Sequence, residues 1–223
     1  MLFDLRSRGR RRTVQVIYLG LAILIGGGLI LFGVGTGSGG GGLLNGLTGN
    51  GSGSGQSQAV NQATKSALKQ VKLNPNSASA WSALETAYWT AAGDASTYDS
   101  TTGTYLYSTE GKQLLAKASG AWQHYLTLTK TPSSDAAILA ARAYAHQGQY
   151  KQEASAWQYV IQSDPRSAKG YECLAFSAYA GKETRVGDLA AQKAQKLAPK
   201  LQQLQLQSAL KASKTQPLYA QQC

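Results

Sequence analysis

Histidine and cysteine, the side chains that most often carry catalytic or metal chemistry, occur only twice each in this 223-residue sequence. His124 and His146 lie apart, and no HExxH, GxSxG or phosphate-loop lysine motif accompanies them. A catalytic or metal site needs several such groups in convergent positions. The sequence therefore favours a non-catalytic protein, and it assigns no catalytic, cofactor-binding or metal-ligating residue.

The two cysteines, Cys173 and Cys223, form no CxxC motif and no Cys/His cluster. Their spacing indicates neither a zinc site nor a disulfide framework. Cys173 is followed by Leu174, Ala175 and Phe176, which favours a small residue of the hydrophobic core. Cys223 ends the sequence after a polar stretch, and an intermolecular disulfide at that position stays open.

The net charge of +11 is unevenly distributed. Five arginines and Asp4 in the first 12 residues give +4, which leaves +7 for the remainder. Most lysines of the remainder are scattered among glutamines, with a mild concentration from Lys182 to Lys214. This pattern favours a solvated helical surface over a face that follows a phosphate backbone, so no nucleic-acid partner is expected.

An apolar run from Val14 to Val34 follows the basic residues 1–13. At about 1.5 Å per residue, a helix of that length crosses a hydrocarbon core of about 30 Å. Arginine-rich flanks stay in the cytoplasm, which predicts a single-pass cell-membrane protein with a cytoplasmic N-terminus. A cleaved signal peptide is the alternative, although the run is long for one and no A-x-A site follows it.

Residues 35–57 contain 11 glycines and predict a flexible Gly/Ser-rich linker. Gly35, Gly37 and Gly40 satisfy GxGxxG by letter, but no strand or βαβ unit surrounds them, so a phosphate-binding loop is not indicated. The linker would lead to a helical domain over residues 58–212.

Helix-ending prolines divide that domain into units. Pro75, Pro132, Pro165 and Pro199 are separated by 57, 33 and 34 residues. Within the unit that ends at Pro165, apolar residues at helical spacing lie on both sides of a glycine, which predicts a helix, a tight turn and a second helix. Two of the intervals match a 34-residue helix-turn-helix unit, and the first is such a unit with 23 additional residues.

The stretch Trp81-x-x-Leu84-Glu85-x-x-Tyr88 resembles the opening of a tetratricopeptide repeat (TPR), with Glu85 where that family has glycine. The later units depart further: alanines stand in place of the Trp and Leu of the second unit, and Glu153 replaces a small residue. The resemblance implies an all-α fold, a TPR-like α-solenoid of about three helix pairs. A C-terminal capping helix over Lys200–Lys211 and a loose tail over residues 213–223 would complete the chain.

The additional residues form an insertion at about residues 93–115. Residues 93–104 are rich in turn formers and predict a loop, and Tyr105–Lys130 predicts one long helix. The insertion is either a tolerated surface feature or a projecting hairpin whose tyrosines widen a binding surface. Those tyrosines are Tyr98, Tyr105 and Tyr107.

In TPR proteins the inner helices of the pairs line a concave groove that binds peptides or a partner helix. The residues that the resemblance places there are Trp89, Arg142, His146, Lys169, Phe176 and Tyr179. The expected function is a non-catalytic scaffold or adaptor that is anchored in the membrane and binds proteins or peptide segments on the extracytoplasmic face. A secreted binding module released by signal cleavage is one alternative, and a ligand-binding or enzymatic helical domain is another. No cofactor and no small-molecule substrate are expected.

Overall fold

The structure, a computed structural model, describes residues 53–223, and their side chains from residue 59 onward. The predicted basic tail, transmembrane helix and nearly all of the linker lie outside these residues. None of the helices between residues 53 and 223 combines the length and apolar character that crossing a membrane requires. Residues 61–223 form one compact unit, and it contains the features described below.

The described residues are mainly helical, as predicted, with one short two-stranded hairpin. In chain order the elements are α1 (Gly53–Leu73), α2 (Ala78–Asp94), β1 (Ser96–Asp99), β2 (Thr104–Tyr107), α3 (Thr109–Leu128), α4 (Ser134–His146), α5 (Tyr150–Ser163), α6 (Ala168–Ala180), α7 (Thr184–Leu197), α8 (Lys200–Ser213) and a 3₁₀ helix (Pro217–Gln222). Helix α1 begins at Gly53, inside the segment predicted to be linker.

The main packing partners are consecutive helices: α2 with α3, α4 with α5, and α6 with α7. Each pair also packs on the next, through α3 with α4 and α5 with α6. The largest apolar cluster runs from α3 through the second and third pairs to α8 and includes Trp122, Trp157 and Leu174. Burial of these faces is the main force that holds the pairs together.

Each pair begins in the same way, with a serine that caps its first helix. The hydroxyl oxygens of Ser77, Ser133 and Ser167 accept hydrogen bonds from the backbone N–H three residues on, at 3.3, 3.3 and 3.0 Å. Such caps satisfy N–H groups that have no partner within the helix. A proline one or two residues earlier ends the preceding segment, so proline and serine together set the start of each pair.

The second and third pairs have identical bounds after a shift of 34 residues. Their inner turns also match: the N–H of Gln149 donates to Tyr144 O at 2.9 Å, and the N–H of Glu183 donates to Ala178 O at 2.7 Å. This turn requires a left-handed residue, which is Gly148 in the second pair and Lys182, at φ 62°, in the third.

The insertion differs from its prediction. Residues 105–107 are not helical but belong to β2, which pairs antiparallel with β1 and sets Tyr98 opposite Tyr105. Asp99 organises the connecting turn, since its carboxylate accepts from the Thr101 N–H at 2.9 Å and the Thr102 hydroxyl at 2.8 Å. Alternating threonine and tyrosine side chains favour strands, and the helix begins only after the Ser108 cap.

Helix α8 is less buried than its predicted capping role requires. Leu206 and Leu210 lie in the core, but Leu201 and Leu204 are 98% and 78% exposed. The helix therefore covers the third pair with one edge, while its first turns present leucines to solvent.

Two carboxyl groups lie in the interior. Glu85 and Glu153 are completely buried, and both oxygens of Glu85 lack a hydrogen-bond partner within the described residues. Burial raises the pKa of Glu85 to about 9. It raises the pKa of Glu153 to about 8, although Ser177 and the Trp157 indole N–H, 3.4 Å from Oε1, oppose the rise. Both side chains are therefore protonated at neutral pH in the folded chain.

Candidate protein-binding groove

Helices α4 and α6 present their equivalent residues on a common side. Arg142 and Phe176 are 34 residues apart and occupy the same position in their helices, nine residues after the capping serine. Cys173 precedes Phe176 by almost one turn and therefore lies on the same side of α6. We refer to the surface formed by Arg142, Cys173 and Phe176 as the inner face.

The inner face holds the last residues of the sequence. Arg142 Nε and Nη2 donate to the backbone oxygen of Cys223 at 3.1 and 3.0 Å. The ring of Tyr219 stands edge-on to that of Phe176, with 5.3 Å between centroids. Ala220, between these contacts, is buried. We refer to residues 217–223 as the C-terminal segment.

A disulfide fastens this segment to α6. Cys173 and Cys223 are bonded, with their Cα atoms 5.7 Å apart. The tail that was predicted to be loose is held by this bond. Cys173 lies in the hydrophobic core, as predicted, but it is bonded to Cys223, whose bond is intramolecular rather than intermolecular. Fifty residues separate the two cysteines, so no short motif marks the pair. The even count of two was the one available signal.

Lys169 lies beside the segment, at the edge of an open cavity of about 710 Å³. The cavity separates α6 from α8, and Phe176, Leu206, Tyr219 and Gln222 contribute to its walls. The ammonium of Lys169 lies 3.4 Å from the Glu172 carboxylate, in an ion pair at the surface that is of small energetic value. Arg142, Lys169 and Phe176 are thus three predicted groove residues that the fold places around the C-terminal segment.

Two further predicted residues, Trp89 and His146, belong to an aromatic cluster at the other end of α4. The His146 ring centroid lies 6.2 Å from that of Trp89 and 4.8 Å from that of Tyr107 on β2. Burial, with a smaller effect of Arg142, lowers the pKa of His146 to about 4, so the ring is neutral at physiological pH. Burial also raises the pKa of Tyr107 to about 12.

Tyr179 is placed differently from its prediction. It is buried, its hydroxyl donates to Asp188 Oδ1 at 2.8 Å, and its ring packs directly over Gly187 of α7. Lys214 Nζ lies 5.1 Å from the ring centroid and bonds the same carboxylate at 2.9 Å. Tyr179 therefore joins α6 to α7 and is not part of the inner face.

Among residues 53–223 no three His, Cys, Asp or Glu side chains lie close enough together to hold a metal ion. The arrangement on the inner face is suited to non-covalent recognition: a cationic donor pair, an aromatic ring and an apolar floor in one row. No protein-family model matches this sequence, and no curated protein compared with it is similar.

Proposed function

We propose that this chain is a non-catalytic scaffold, anchored in a cell membrane by residues 14–34, whose helical domain binds protein segments on the extracytoplasmic side. The observation that carries the proposal is the C-terminal segment on the inner face. A surface that holds residues 217–223 through Arg142 and Phe176 has the chemistry to hold a similar segment of another protein. Arginine and aromatic residues are also the usual energetic anchors of protein interfaces.

We further propose that the helical domain is a TPR-like α-solenoid. The 34-residue recurrence of helix bounds, the serine caps and the matching inner turns support this architecture. Stacked repeats present one helix of each pair along a shared concave surface, which suits extended peptides. The inner face would be the part of that surface that the second and third pairs contribute.

The disulfide supports the extracytoplasmic location. Disulfides persist in oxidising compartments and are rare in the cytosol. The Cys173–Cys223 bond therefore agrees with the orientation that the arginines before residue 14 predict. A secreted protein would satisfy the disulfide equally well, so the anchor needs a separate test. Mass spectrometry of the mature protein from membranes decides it, because loss of about 35 N-terminal residues would replace the anchor with a cleaved signal.

Photo-cross-linking in membranes tests the binding function. A photoreactive amino acid replaces Lys169 at the inner face or, as a matched control, exposed Gln158 on α5. Both are introduced into the full chain, with and without Cys173→Ser. We expect a discrete protein adduct from position 169 that is absent from position 158 and is lost with Phe176→Ala. Equal adducts at both positions, or none at position 169 in either background, would contradict the proposal.

A further inference from the structure

We infer that the C-terminal segment occupies the inner face until a dithiol reductant releases it. The freed inner face then binds a partner peptide that has an aromatic side chain four residues before a carbonyl or carboxylate oxygen. The inference rests on the proposed function and adds to it a ligand class and a means of control.

The ligand class follows from what the inner face contacts. The aromatic ring of Tyr219 meets Phe176, and four residues later the backbone oxygen of Cys223 accepts both hydrogen bonds from Arg142. Ala220 is buried between them, which calls for a small residue after the aromatic one. Leu218 is half exposed and so contributes little to selection. A guanidinium with two parallel donors binds a carboxylate more strongly than a neutral carbonyl, so a peptide with an acidic or terminal carboxylate at that point would bind best.

The proposed control by reduction follows from the different exposure of the two cysteines. Cys173 is completely buried, whereas Cys223 is half-buried at the surface. A thiolate of the reductant attacks Sγ of Cys223, and the bond to Cys173 breaks. The resulting Cys173 thiolate takes up a proton. The second thiol of the reductant then attacks the mixed disulfide and releases Cys223. Two electrons and two protons pass from the dithiol to the protein disulfide, which leaves two protein thiols and an oxidised reductant.

Release of the bond changes the competition at the inner face. While the disulfide is intact, the C-terminal segment cannot leave Phe176 and Arg142 far enough to admit another peptide. After reduction the segment is held by one oxygen, one ring contact and Ala220, while residues 214–216 still tether it to the end of α8. A tethered segment still competes at an effective concentration of the order of 1 mM, so reduction opens the face partly and removal of the segment opens it fully.

Fluorescence anisotropy with a synthetic peptide tests the inference directly. The probe is fluorescein-labelled TQPLYAQQS, a copy of residues 215–223 with serine for cysteine, and the protein is the full chain in detergent micelles. We expect no binding to the oxidised chain, measurable binding after dithiothreitol, and binding at least about tenfold tighter when residues 215–223 are deleted. Cys173→Ser should bind without reductant. Arg142→Ala in the deleted chain should weaken binding about tenfold, and a scrambled peptide should not bind.

Three results would overturn the inference. The oxidised chain could bind the probe as tightly as the reduced chain. The chain that lacks residues 215–223 could bind the probe and the scrambled peptide equally well while its circular dichroism stays helical. Cross-linking at position 169 could yield the same adduct in the oxidised chain and in Cys173→Ser. That result would leave the proposed binding function intact and contradict its regulation by the disulfide. Conversely, a probe that binds only after reduction supports the inference even when position 169 captures no partner, and that result contradicts the proposed function alone.

Discussion

Glu85 should make the helical domain lose stability as the pH rises. The pKa of its carboxyl group is about 9 in the folded chain, compared with the ordinary value of 4.5 that applies when the chain is unfolded. Between these values the carboxyl group is protonated when folded and ionised when unfolded. The folded chain then binds one more proton, so the free energy of unfolding falls by about 1.4 kcal/mol for each pH unit.

The size of the effect follows from the two pKa values. The stability is fully present below pH 4.5, and the 2.5 pH units up to pH 7 remove about 3 kcal/mol. The loss continues towards pH 9, where the folded carboxyl group ionises. Glutamine has nearly the same shape and no charge at any pH. Glu85→Gln should therefore differ from the parent chain by less than about 1 kcal/mol at pH 5 and should be more stable by about 3 kcal/mol at pH 7.

Urea unfolding at pH 5, 6, 7 and 8, followed by far-ultraviolet circular dichroism, measures this difference. The full chain is kept in detergent micelles with its disulfide intact. Glu110→Gln, which changes an exposed carboxylate in the first turn of α3 to the same amide, controls for the loss of one negative charge. A difference between Glu85→Gln and the parent that is the same at every pH would refute the reasoning, because Glu85 would then be ionised in the folded chain as well.

Three further predictions concern the inner turn, the packing of α7 and the aromatic cluster. Lys182→Gly should raise the free energy of unfolding by about 1 kcal/mol in urea titrations, because it relieves a left-handed backbone at φ 62°. Gly187→Ala should lower the free energy of unfolding by about 1–3 kcal/mol, because the added Cβ would lie 2.5 Å from Tyr179 Cε1. The matched control Gly120→Ala, which has open space around the added Cβ, should raise the free energy of unfolding by about 0.5–1 kcal/mol. In proton NMR titrations the His146 ring should stay neutral down to about pH 5, because burial lowers its pKa to about 4; a midpoint near 6.5 would contradict its placement.

The sequence was most informative where local chemistry repeats. Proline spacing indicated the three helix pairs, and Ser77, two residues after Pro75, caps α2 by accepting a hydrogen bond from the Ala80 N–H. The inner turn of the third pair carries no such signal, because Lys182 rather than glycine occupies its left-handed position. A residue type signals such a turn only where the sequence uses the type that tolerates it.

The inner face shows where sequence reasoning stopped. The resemblance to tetratricopeptide repeats named Arg142 and Phe176 as groove residues, and the structure places both beside the C-terminal segment. The occupant of that face could not be identified from the sequence, since Tyr219 and Cys223 meet it only through the return of the chain after α8. A projecting hairpin was one of the two alternatives for the insertion, but its strands β1 and β2 were not predicted. Their pairing depends on a turn that Asp99 and Gly103 form together.

The second and third pairs differ from a regular repeat because large and small side chains change places between equivalent positions. In the third pair Tyr179 packs on Gly187, and a Cβ at position 187 would collide with its ring. The equivalent residues of the second pair, 34 positions earlier, are Ala145 and Glu153, so the large residue has moved from the first helix to the second. Tyr179 in the third pair and Glu153 in the second are both buried. Because cores tolerate substitution when total volume is kept, each unit can look irregular alone while the 34-residue geometry is preserved. The buried carboxyl of Glu153 is then a by-product of that exchange, and it explains why this position gives stability a dependence on pH without taking part in the inner face.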